Sequence, residues 1–310
     1  MNTIQIGSLE IFKQNEYIPK DIGMVSNNAY LSIVATNNCQ CKCPYCINSE
    51  TDHRLNLPIA KAVYNIRKLI FRYGVKEAII LGGEPLLHPK ILDLIRDLRE
   101  STNLQMVRLT TNGIKLKNNP DFIKELVHPD WGIQGINISF HNQEFMTINE
   151  LYDVYKWIKL YNPSIKVRIN TNIWKGNCDT IELLNSHLYS IRFTDEVRVS
   201  NIIPKDSFSV NPINKGSDLV LSDEEYISLF TKLIKQYEDR YIIIENKATL
   251  GFVRYLLIPT PCPIIINWNL GSRVAEQVCE NDIPNRKVNT FKCLVNGDIS
   301  LSWNTNNIII

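Results

Sequence analysis

The sequence predicts an α/β fold in which six β-strands alternate with six α-helices between residues 30 and 240. Two observations carry this prediction. Short runs rich in Val, Ile and Leu recur along the chain, and the apolar residues between these runs repeat at helical spacing. Strands that are joined through helices are expected to run parallel, with right-handed crossovers. In such folds, the side chains that perform chemistry collect at the carboxyl ends of the strands.

The predicted strands and helices follow one another in regular order. Pro58 is expected to begin the first helix and Gly74 to end it. Ser222 and Glu225 have the spacing of a capping box at the start of the last helix. The predicted strands are 30–36, 77–81, 105–111, 135–140, 166–172 and 196–202, and the predicted helices lie within 59–73, 91–98, 122–127, 151–158, 181–188 and 222–237.

The length and composition of the chain limit the classes of protein to which it can belong. Its 310 residues, 44% of them hydrophobic, suffice for one large domain or for one domain with a small appendage. The formal net charge is only +2 and no basic run stands out, so there is no strong nucleic-acid signal. We find no signal-peptide pattern and no apolar run of membrane-span length, which predicts a cytoplasmic protein without a membrane partner. Eight cysteines in that compartment are better read as ligands or free thiols than as disulfides.

The chain is predicted to have three parts. Residues 1–29 form a short N-terminal extension, in which apolar residues alternate around Gly7 as in a hairpin. Residues 30–240 form the core. Residues 241–310 form a small C-terminal α+β segment that includes a hairpin with an Asn296-Gly297 turn.

A cluster of cysteines follows the first predicted strand. Cys39, Cys43 and Cys46 have the spacing C-x3-C-x2-C. Thiolates suit iron–sulfur clusters or zinc, and three of them can bind three corners of a cubane while its fourth iron stays open for chemistry. Cys41 is a fourth thiol within reach and keeps structural zinc as the alternative, although structural zinc sites usually draw two pairs of ligands from separate segments. We therefore interpret the loop as a catalytic cluster site, with Cys41 outside the ligand set.

Polar residues also follow the other five predicted strands. Each of these groups alone could be an ordinary turn, because loops are polar and Gly and Asn favour turns. Together with the cysteines they mark a candidate site at one edge of the sheet. They are Gly82-Gly83-Glu84-Pro85, Thr111-Asn112-Gly113, Ser139 with His141, Asn170 with Asn172, and Asn201 with Pro204.

The cysteine spacing and the Gly82-Gly83-Glu84-Pro85 stretch together resemble the radical S-adenosylmethionine (radical SAM) superfamily. The resemblance covers residues 30 to 240 and implies a partial (βα)6 barrel of the TIM type. It implies a [4Fe-4S] cluster on the three cysteines, with S-adenosylmethionine bound at the open iron. One electron would then release a 5′-deoxyadenosyl radical that removes hydrogen from an organic substrate. The resemblance also implies an electron donor such as flavodoxin or ferredoxin as a partner.

The resemblance assigns roles to several residues at the strand ends. The glycines would allow close backbone approach to the methionine amino group, and Tyr45 matches the position that packs near the adenine. Ser139 matches the ribose-contacting region, a role that His141 could share. His141 is in addition a candidate substrate contact or proton donor, or else a hydrogen-bonded loop histidine. The other candidate cofactor contacts are Gly82, Gly83, Glu84, Pro85, Thr111, Asn112 and Asn170.

Two arginines and three cysteines leave further questions open. Arg168 and Arg198 alternate within strands and could pair with a substrate carboxylate or phosphate, although at least one is expected to face a structural acid.

The C-terminal hairpin resembles the C-terminal hairpins of radical SAM enzymes of the SPASM and twitch groups, which carry an auxiliary cluster. A second iron–sulfur cluster on Cys262, Cys279 and Cys293 could form but is not expected, because buried inert thiols explain the same residues. The segment is instead expected to cover the open side of the barrel.

The predicted function is a radical enzyme that abstracts hydrogen, with a ribosomally made peptide as the first substrate. Because residues 1–29 are too few for a typical leader-binding domain, a nucleotide, nucleoside or other metabolite is the runner-up. A glycyl-radical activase fits the same core. A non-catalytic zinc or iron–sulfur protein would leave the Gly82-Gly83-Glu84-Pro85 stretch unexplained.

Overall fold

A computed structural model of the chain gives the fold. It describes residues 2–6, 9–13, 25–43, 45–46, 54–141, 145–202, 217–237, 240–247, 252–257, 264–269, 288–301 and 308–310. The strands in these ranges are β1 (Asn2–Ile6), β2 (Leu9–Lys13), β3 (Val25–Thr36), β4 (Glu77–Gly82), β5 (Met106–Thr111), β6 (Gly135–Ser139), β7 (Lys166–Ile173), β8 (Glu196–Asn201), β9 (Tyr241–Lys247), β10 (Phe252–Leu257), β11 (Ile264–Asn269), β12 (Val288–Cys293) and β13 (Ile299–Ser300). The helices are α1 (Ile59–Tyr73), α2 (Ile91–Ser101), α3 (Pro120–Leu126), α4 (Ile148–Tyr161), α5 (Ile181–Ser190) and α6 (Asp223–Gln236). Each strand and helix predicted between residues 30 and 240 is present, which confirms the α/β fold class.

The helix ends follow from local chemistry. Gly74 ends α1 in the left-handed conformation, at φ 67°, and its N–H donates to the carbonyl of Ile70. Pro58 is the N-cap of α1, one residue before the position predicted for it. The capping box between Ser222 and Glu225 is present at the start of α6, as predicted.

By its internal contacts, the chain divides into two compact units. Unit 1 comprises Met1–Asn15, Ser139–Glu144 and Val167–Cys279, and unit 2 comprises Glu16–Ile138, Phe145–Lys166 and Glu280–Ile310. The division of the sequence into an extension, a core and a C-terminal segment stays a prediction. None of the helices in the described ranges combines the length and the hydropathy that a membrane span requires.

Unit 2 contains the sheet order β13-β12-β3-β4-β5-β6. Strands β12, β3, β4, β5 and β6 run parallel, as the helical crossovers predict. Leu31 and Ile33 of β3 are fully buried on the sheet face where Phe291 of β12 also lies. Phe291 stacks on Tyr73 of α1, with ring centroids 5.3 Å apart, so this face is the helix side of the sheet.

The C-terminal hairpin of unit 2 pairs directly with the first strand of the core. The predicted Asn-Gly turn is present, with Gly297 at φ 87°. The Asn65 side chain of α1 donates to the Gly297 carbonyl at 3.0 Å, and Lys61 pairs with Asp298 at 2.7 Å. Cys293 is buried on β12, where burial raises the pKa of its thiol to about 12. Cys262, Cys279 and Pro204 lie outside the described residues, so the auxiliary cluster and the barrel-covering role stay predictions.

Unit 1 contains the sheet order β7-β8-β11-β10-β9 and the separate hairpin of β1 and β2. Strands β1 and β2 pair antiparallel, with Ile6 opposite Leu9, which confirms the predicted hairpin. Strand β11 runs parallel to β8, which the sequence did not predict. Its Trp268 is fully buried and packs on Tyr226 of α6, with ring centroids 5.4 Å apart. This contact makes the Trp268 face of β11 the helix side.

Candidate active site

The cysteine loop leaves the carboxyl end of β3 and is closed at its base by backbone pairing. The N–H of Asn37 donates to the Leu55 carbonyl at 3.0 Å, and the N–H of Leu57 donates to the Ala35 carbonyl at 2.9 Å. The Thr36 hydroxyl adds a bond to the Leu55 carbonyl at 2.9 Å. The loop therefore begins from a fixed base at the strand end, where the sequence placed it.

The three thiols with the C-x3-C-x2-C spacing lie near one another. Cys39, Cys43 and Cys46 are partly buried. Burial raises the pKa of the Cys39 and Cys43 thiols, and the neighbouring thiols raise it further. Such thiols keep their protons until a metal displaces them, and three of them on one loop suit three corners of a cubane. Among the described residues, no three His, Cys, Asp or Glu side chains form a ready site for a single metal ion.

Two further residues of the loop, Cys41 and Tyr45, contact these thiols. The backbone N–H of Cys41 donates to Cys39 Sγ at 3.4 Å, and the Cys41 and Cys39 thiols hydrogen-bond with each other. The Cys41 thiol itself accepts a hydrogen bond from Asn112 Nδ2 at 3.3 Å. The Tyr45 hydroxyl hydrogen-bonds with the Cys43 thiol, and burial raises the pKa of Tyr45. The placement of Tyr45 near an adenine stays a prediction.

The Gly82-Gly83 pair lies directly against the chain that enters the cysteine loop. The N–H of Gly83 donates to the Thr36 carbonyl at 2.7 Å. A Cβ on Gly83 would overlap the Asn38 carbonyl, and one on Gly82, at φ 147°, would overlap the Thr36 carbonyl. The structure shows close approach to the protein's own loop, and the predicted approach to the methionine amino group of the cofactor stays a prediction. Two glycines are needed there because the two backbones touch.

The Glu84 carboxylate joins the ends of β4 and β5. Its Oε1 accepts from the Leu86 N–H at 3.0 Å and from the Thr111 hydroxyl at 2.7 Å, and its Oε2 accepts from the Asn112 N–H at 2.7 Å. Burial raises the pKa of Glu84, while these hydrogen bonds and Lys115 act in the opposite direction. Both carboxylate oxygens bind protein donors, so Glu84 holds the two strand ends together, and its contact with the cofactor stays a prediction. Pro85 begins the short 3₁₀ turn that Glu84 caps.

The remaining predicted site residues lie in unit 1. Ser139 ends β6 and is partly exposed. His141 Nδ1 accepts a hydrogen bond from the Asn172 N–H at 2.9 Å, and its ring meets Trp174 edge-on. Asn170 Oδ1 is buried, and none of the described groups hydrogen-bonds to it. A buried amide oxygen of this kind suits a donor from a bound molecule.

His141 is uncharged at neutral pH. Burial lowers its pKa to about 3, with a further contribution from His187, and burial lowers the pKa of His187 to about 4. Because Nδ1 of His141 accepts a hydrogen bond, its single proton lies on Nε2. The protonated form is therefore absent near pH 7, which leaves a neutral Nε2–H donor as the role that His141 can take.

We expect the free energy of unfolding to fall as the pH is lowered from 6.5 toward about 4. Both histidines have folded pKa values below the ordinary one, so the unfolded chain takes up protons first and acid removes stability. In this window each histidine that stays neutral in the folded chain lowers the free energy of unfolding by about 1.4 kcal/mol for every unit by which the pH falls. Denaturant titrations at pH 7, 6 and 5 measure the slope.

The variant His187→Phe serves as the control for this pH dependence. Its ring can keep the stacking that His187 makes on Phe140, with centroids 5.8 Å apart, but it cannot take up a proton. The variant loses the bond to Thr171, so its absolute stability will differ and only the slopes are compared. An unchanged slope would show that His187 is not the titrating group.

Polar residues of β7, β8 and β11 share the sheet face opposite Trp268. Arg168 pairs with Glu196 at 3.7 Å, and Asn267 Nδ2 also donates to Glu196. One of the two strand arginines thus faces a structural acid, as predicted. Arg198 lies two residues after Glu196 and so points to the same face. Asn170 and Asn267 are its register partners on the two neighbouring strands. Sequence reasoning missed Asn267, because β11 was not predicted.

A parallel α/β sheet with a three-thiol loop at the end of its first core strand defines the class of protein. Residues 33–177 match the family described as the Radical SAM superfamily. The chain therefore contains a radical SAM domain and is a radical SAM enzyme. The cofactors of the family are a [4Fe-4S] cluster and S-adenosylmethionine, as predicted.

Two curated relatives are both GTP 3′,8-cyclases by name. The GTP 3′,8-cyclase of Chlorobaculum tepidum is 28% identical over 179 residues, which cover 54% of this chain and 53% of the relative. The GTP 3′,8-cyclase of Clostridium perfringens is 28% identical over 248 residues and covers 72% of each chain. This chain therefore matches about half the length of the first relative and more of the second.

The structure is also similar to a solved radical SAM structure. The crystal structure of Streptococcus suis SuiB bound to S-adenosylmethionine aligns with a TM-score of 0.61 at 15% identity, covering 90% of this chain and 61% of SuiB. SuiB bound to its precursor peptide SuiA aligns with a TM-score of 0.57. At this identity the likeness concerns the fold, and it agrees with the predicted partial barrel.

Proposed function

We propose that this radical SAM enzyme removes hydrogen from a nucleotide, with a purine nucleoside triphosphate as the first choice. The observation that carries the proposal is the 28% identity over 72% of both chains with a relative named GTP 3′,8-cyclase. The peptide substrate that the sequence favoured has less support, because the likeness to the peptide-bound SuiB concerns the fold alone. The runner-up of the sequence analysis is thus the better-supported substrate class.

The chain's own residues suit the proposed cofactors. Cys39, Cys43 and Cys46 would hold the cluster by three corners. When bound, the cluster supplies the electron that cleaves S-adenosylmethionine and so generates the radical that attacks the substrate. Glu84 keeps the ends of β4 and β5 in place beside the loop. In unit 1, the buried Asn170 Oδ1 would accept a hydrogen bond from a hydroxyl group of the cofactor or the substrate.

The phosphate groups of the substrate would bind at Arg198. Its guanidinium shares a sheet face with two amide side chains, Asn170 and Asn267, in direct register. The ion pair between Arg168 and Glu196 sets the position of the acid on that face. A planar guanidinium can bind a phosphate through two parallel hydrogen bonds, and amide groups can add further donors.

The decisive experiment supplies substrate candidates to the anaerobically reconstituted enzyme. GTP, ATP, guanosine and a short peptide are each added with S-adenosylmethionine and a reductant, and 5′-deoxyadenosine is quantified. We expect GTP to raise its formation above the substrate-free rate, and deuterated GTP to transfer deuterium into it. A rise with the peptide alone would overturn the nucleotide proposal and restore the peptide. About four irons per chain are expected, and about eight would indicate the auxiliary cluster.

We expect Arg198→Ala to lower kcat/KM for the triphosphate by about 10- to 100-fold, the loss typical of a hydrogen bond to a charged group. The matched control is Arg192→Ala, because the Arg192 guanidinium stacks on the exposed Tyr189 ring at 3.6 Å. Steady-state kinetics give kcat/KM of both variants for GTP, which has the phosphates, and for guanosine, which lacks them. If Arg198→Ala impairs guanosine as strongly as GTP, the proposed phosphate contact is wrong.

A further inference from the structure

We propose that Cys41 and Asn112 form a positioning pair that fastens the ligand-bearing part of the cysteine loop to the end of β5. The inference goes beyond the substrate of the enzyme. It rests on the proposed ligand set of Cys39, Cys43 and Cys46, and it gives the fourth thiol of the loop a role of its own.

The contact joins parts of the chain that are far apart in sequence. Asn112 Nδ2 donates to Cys41 Sγ at 3.3 Å across 71 residues, and both side chains are partly buried. Asn112 is held at its side chain and at its backbone. The side-chain Oδ1 accepts from the Ile114 N–H at 3.0 Å, and the backbone N–H donates to the Glu84 carboxylate at 2.7 Å. An amide whose oxygen is held in this way presents its NH2 group in one direction.

The pair extends the anchoring of the loop beyond its base. The Glu84 N–H donates a hydrogen bond to the Asn38 carbonyl at 2.6 Å. Asn38 immediately precedes Cys39, the first proposed ligand. Cys41 lies between Cys39 and Cys43, two residues from each. A contact at Cys41 therefore restricts the backbone on both sides of it, where two of the three proposed ligands lie.

This geometry has two consequences for the cluster. The Cys41 thiol hydrogen-bonds with the Cys39 thiol as well as with Asn112, so the pair links the first proposed ligand to the end of β5. A loop that is held before the cluster binds loses less conformational freedom on binding, so the cluster is retained longer.

The test compares Cys41→Ser, which keeps an acceptor, with Cys41→Val, which replaces it by a slightly larger apolar side chain. The 310-residue chain is loaded with iron anaerobically, and its iron loss to a ferrous chelator is followed. We expect about fivefold faster loss for Cys41→Val, the equivalent of one hydrogen bond, and a nearly unchanged rate for Cys41→Ser. Hydrogen exchange of residues 39–46 in the cluster-free chain is expected to accelerate in Cys41→Val alone.

A double-mutant cycle with Asn112→Ala isolates the pair. If the contact exists, Asn112→Ala accelerates iron loss in the wild type but adds little in Cys41→Val. Additive effects, or a wild-type rate for Cys41→Val, would overturn the proposal. Complete loss of iron in both Cys41→Ser and Cys41→Val would make Cys41 a ligand instead. Retention of iron in Cys43→Ala would show separately that the proposed ligand set is wrong.

Discussion

Replacement of Cys43 by alanine is expected to abolish cluster binding and S-adenosylmethionine cleavage. With Cys43 gone, only Cys39 and Cys46 of the proposed set could hold the cluster. The turn itself should persist, because the N–H of Cys46 donates to the backbone carbonyl of residue 43 at 3.1 Å and needs no side chain there. The iron content of anaerobically purified protein should fall from about four irons per chain to near zero. Iron and sulfide analysis, together with electron paramagnetic resonance, measures this loss.

The matched control is Cys178→Ala. Cys178 is a buried thiol in unit 1, and burial raises its pKa to about 11, as expected for an inert cysteine. This variant should keep its full iron content. In addition, the cluster-free wild type and Cys43→Ala should unfold within about 2–4 °C of each other, since the variant loses only one side chain of the loop and its hydrogen bond with Tyr45. A Cys43→Ala protein with full iron and activity would refute the proposed ligand set.

The core strands and helices could be predicted because their signals are local. Helix α1 shows apolar residues at helical spacing and stops at Gly74, and α6 begins with the capping box of Ser222 and Glu225. Each of these signals lies within a few residues of the element that it specifies. The bounds of the strands differ from the predicted ones mainly at β3, which begins at Val25 instead of residue 30.

Strand β11 could not be predicted because its partner is distant in sequence. The run at Ile264 follows three prolines, which indicate a break in the chain, and a short apolar run suits a strand or a buried helix equally. What makes it a strand is its pairing with β8, for example Ile266 with Val197. Asn267 was consequently not predicted as a site residue, although the sequence shows it as a polar residue between the apolar Ile266 and Trp268.

The site shows the same division between local and distant information. The spacing of Cys39, Cys43 and Cys46 is local, so the sequence could propose a cluster. The partners of Glu84 are not local, because Thr111 and Asn112 follow it by 27 and 28 residues. Sequence reasoning could therefore mark Glu84 as a site residue but could not tell a cofactor contact from a group that holds two strand ends together.

Replacement of Glu84 by alanine is expected to lower the free energy of unfolding by about 4 kcal/mol. The variant would leave three donors without their acceptor, on Leu86, Thr111 and Asn112, and two of these residues, Leu86 and Thr111, are buried. It would also open a cavity where the carboxylate was, since Glu84 is 1% exposed. Denaturant titration of the cluster-free chain measures the effect without any contribution from iron.

Two further variants decide whether this effect belongs to the hydrogen bonds. Glu84→Gln keeps the shape and one acceptor oxygen, so it should recover about half of the loss, because the amide NH2 cannot accept from the remaining donors. Glu125→Ala removes an exposed carboxylate on α3 and should change stability by no more than about 0.5 kcal/mol. If Glu84→Ala were as stable as Glu125→Ala, the carboxylate would not hold the ends of β4 and β5 together. Its place beside the cysteine loop would then be explained by contact with the cofactor, as the resemblance to the family first implied.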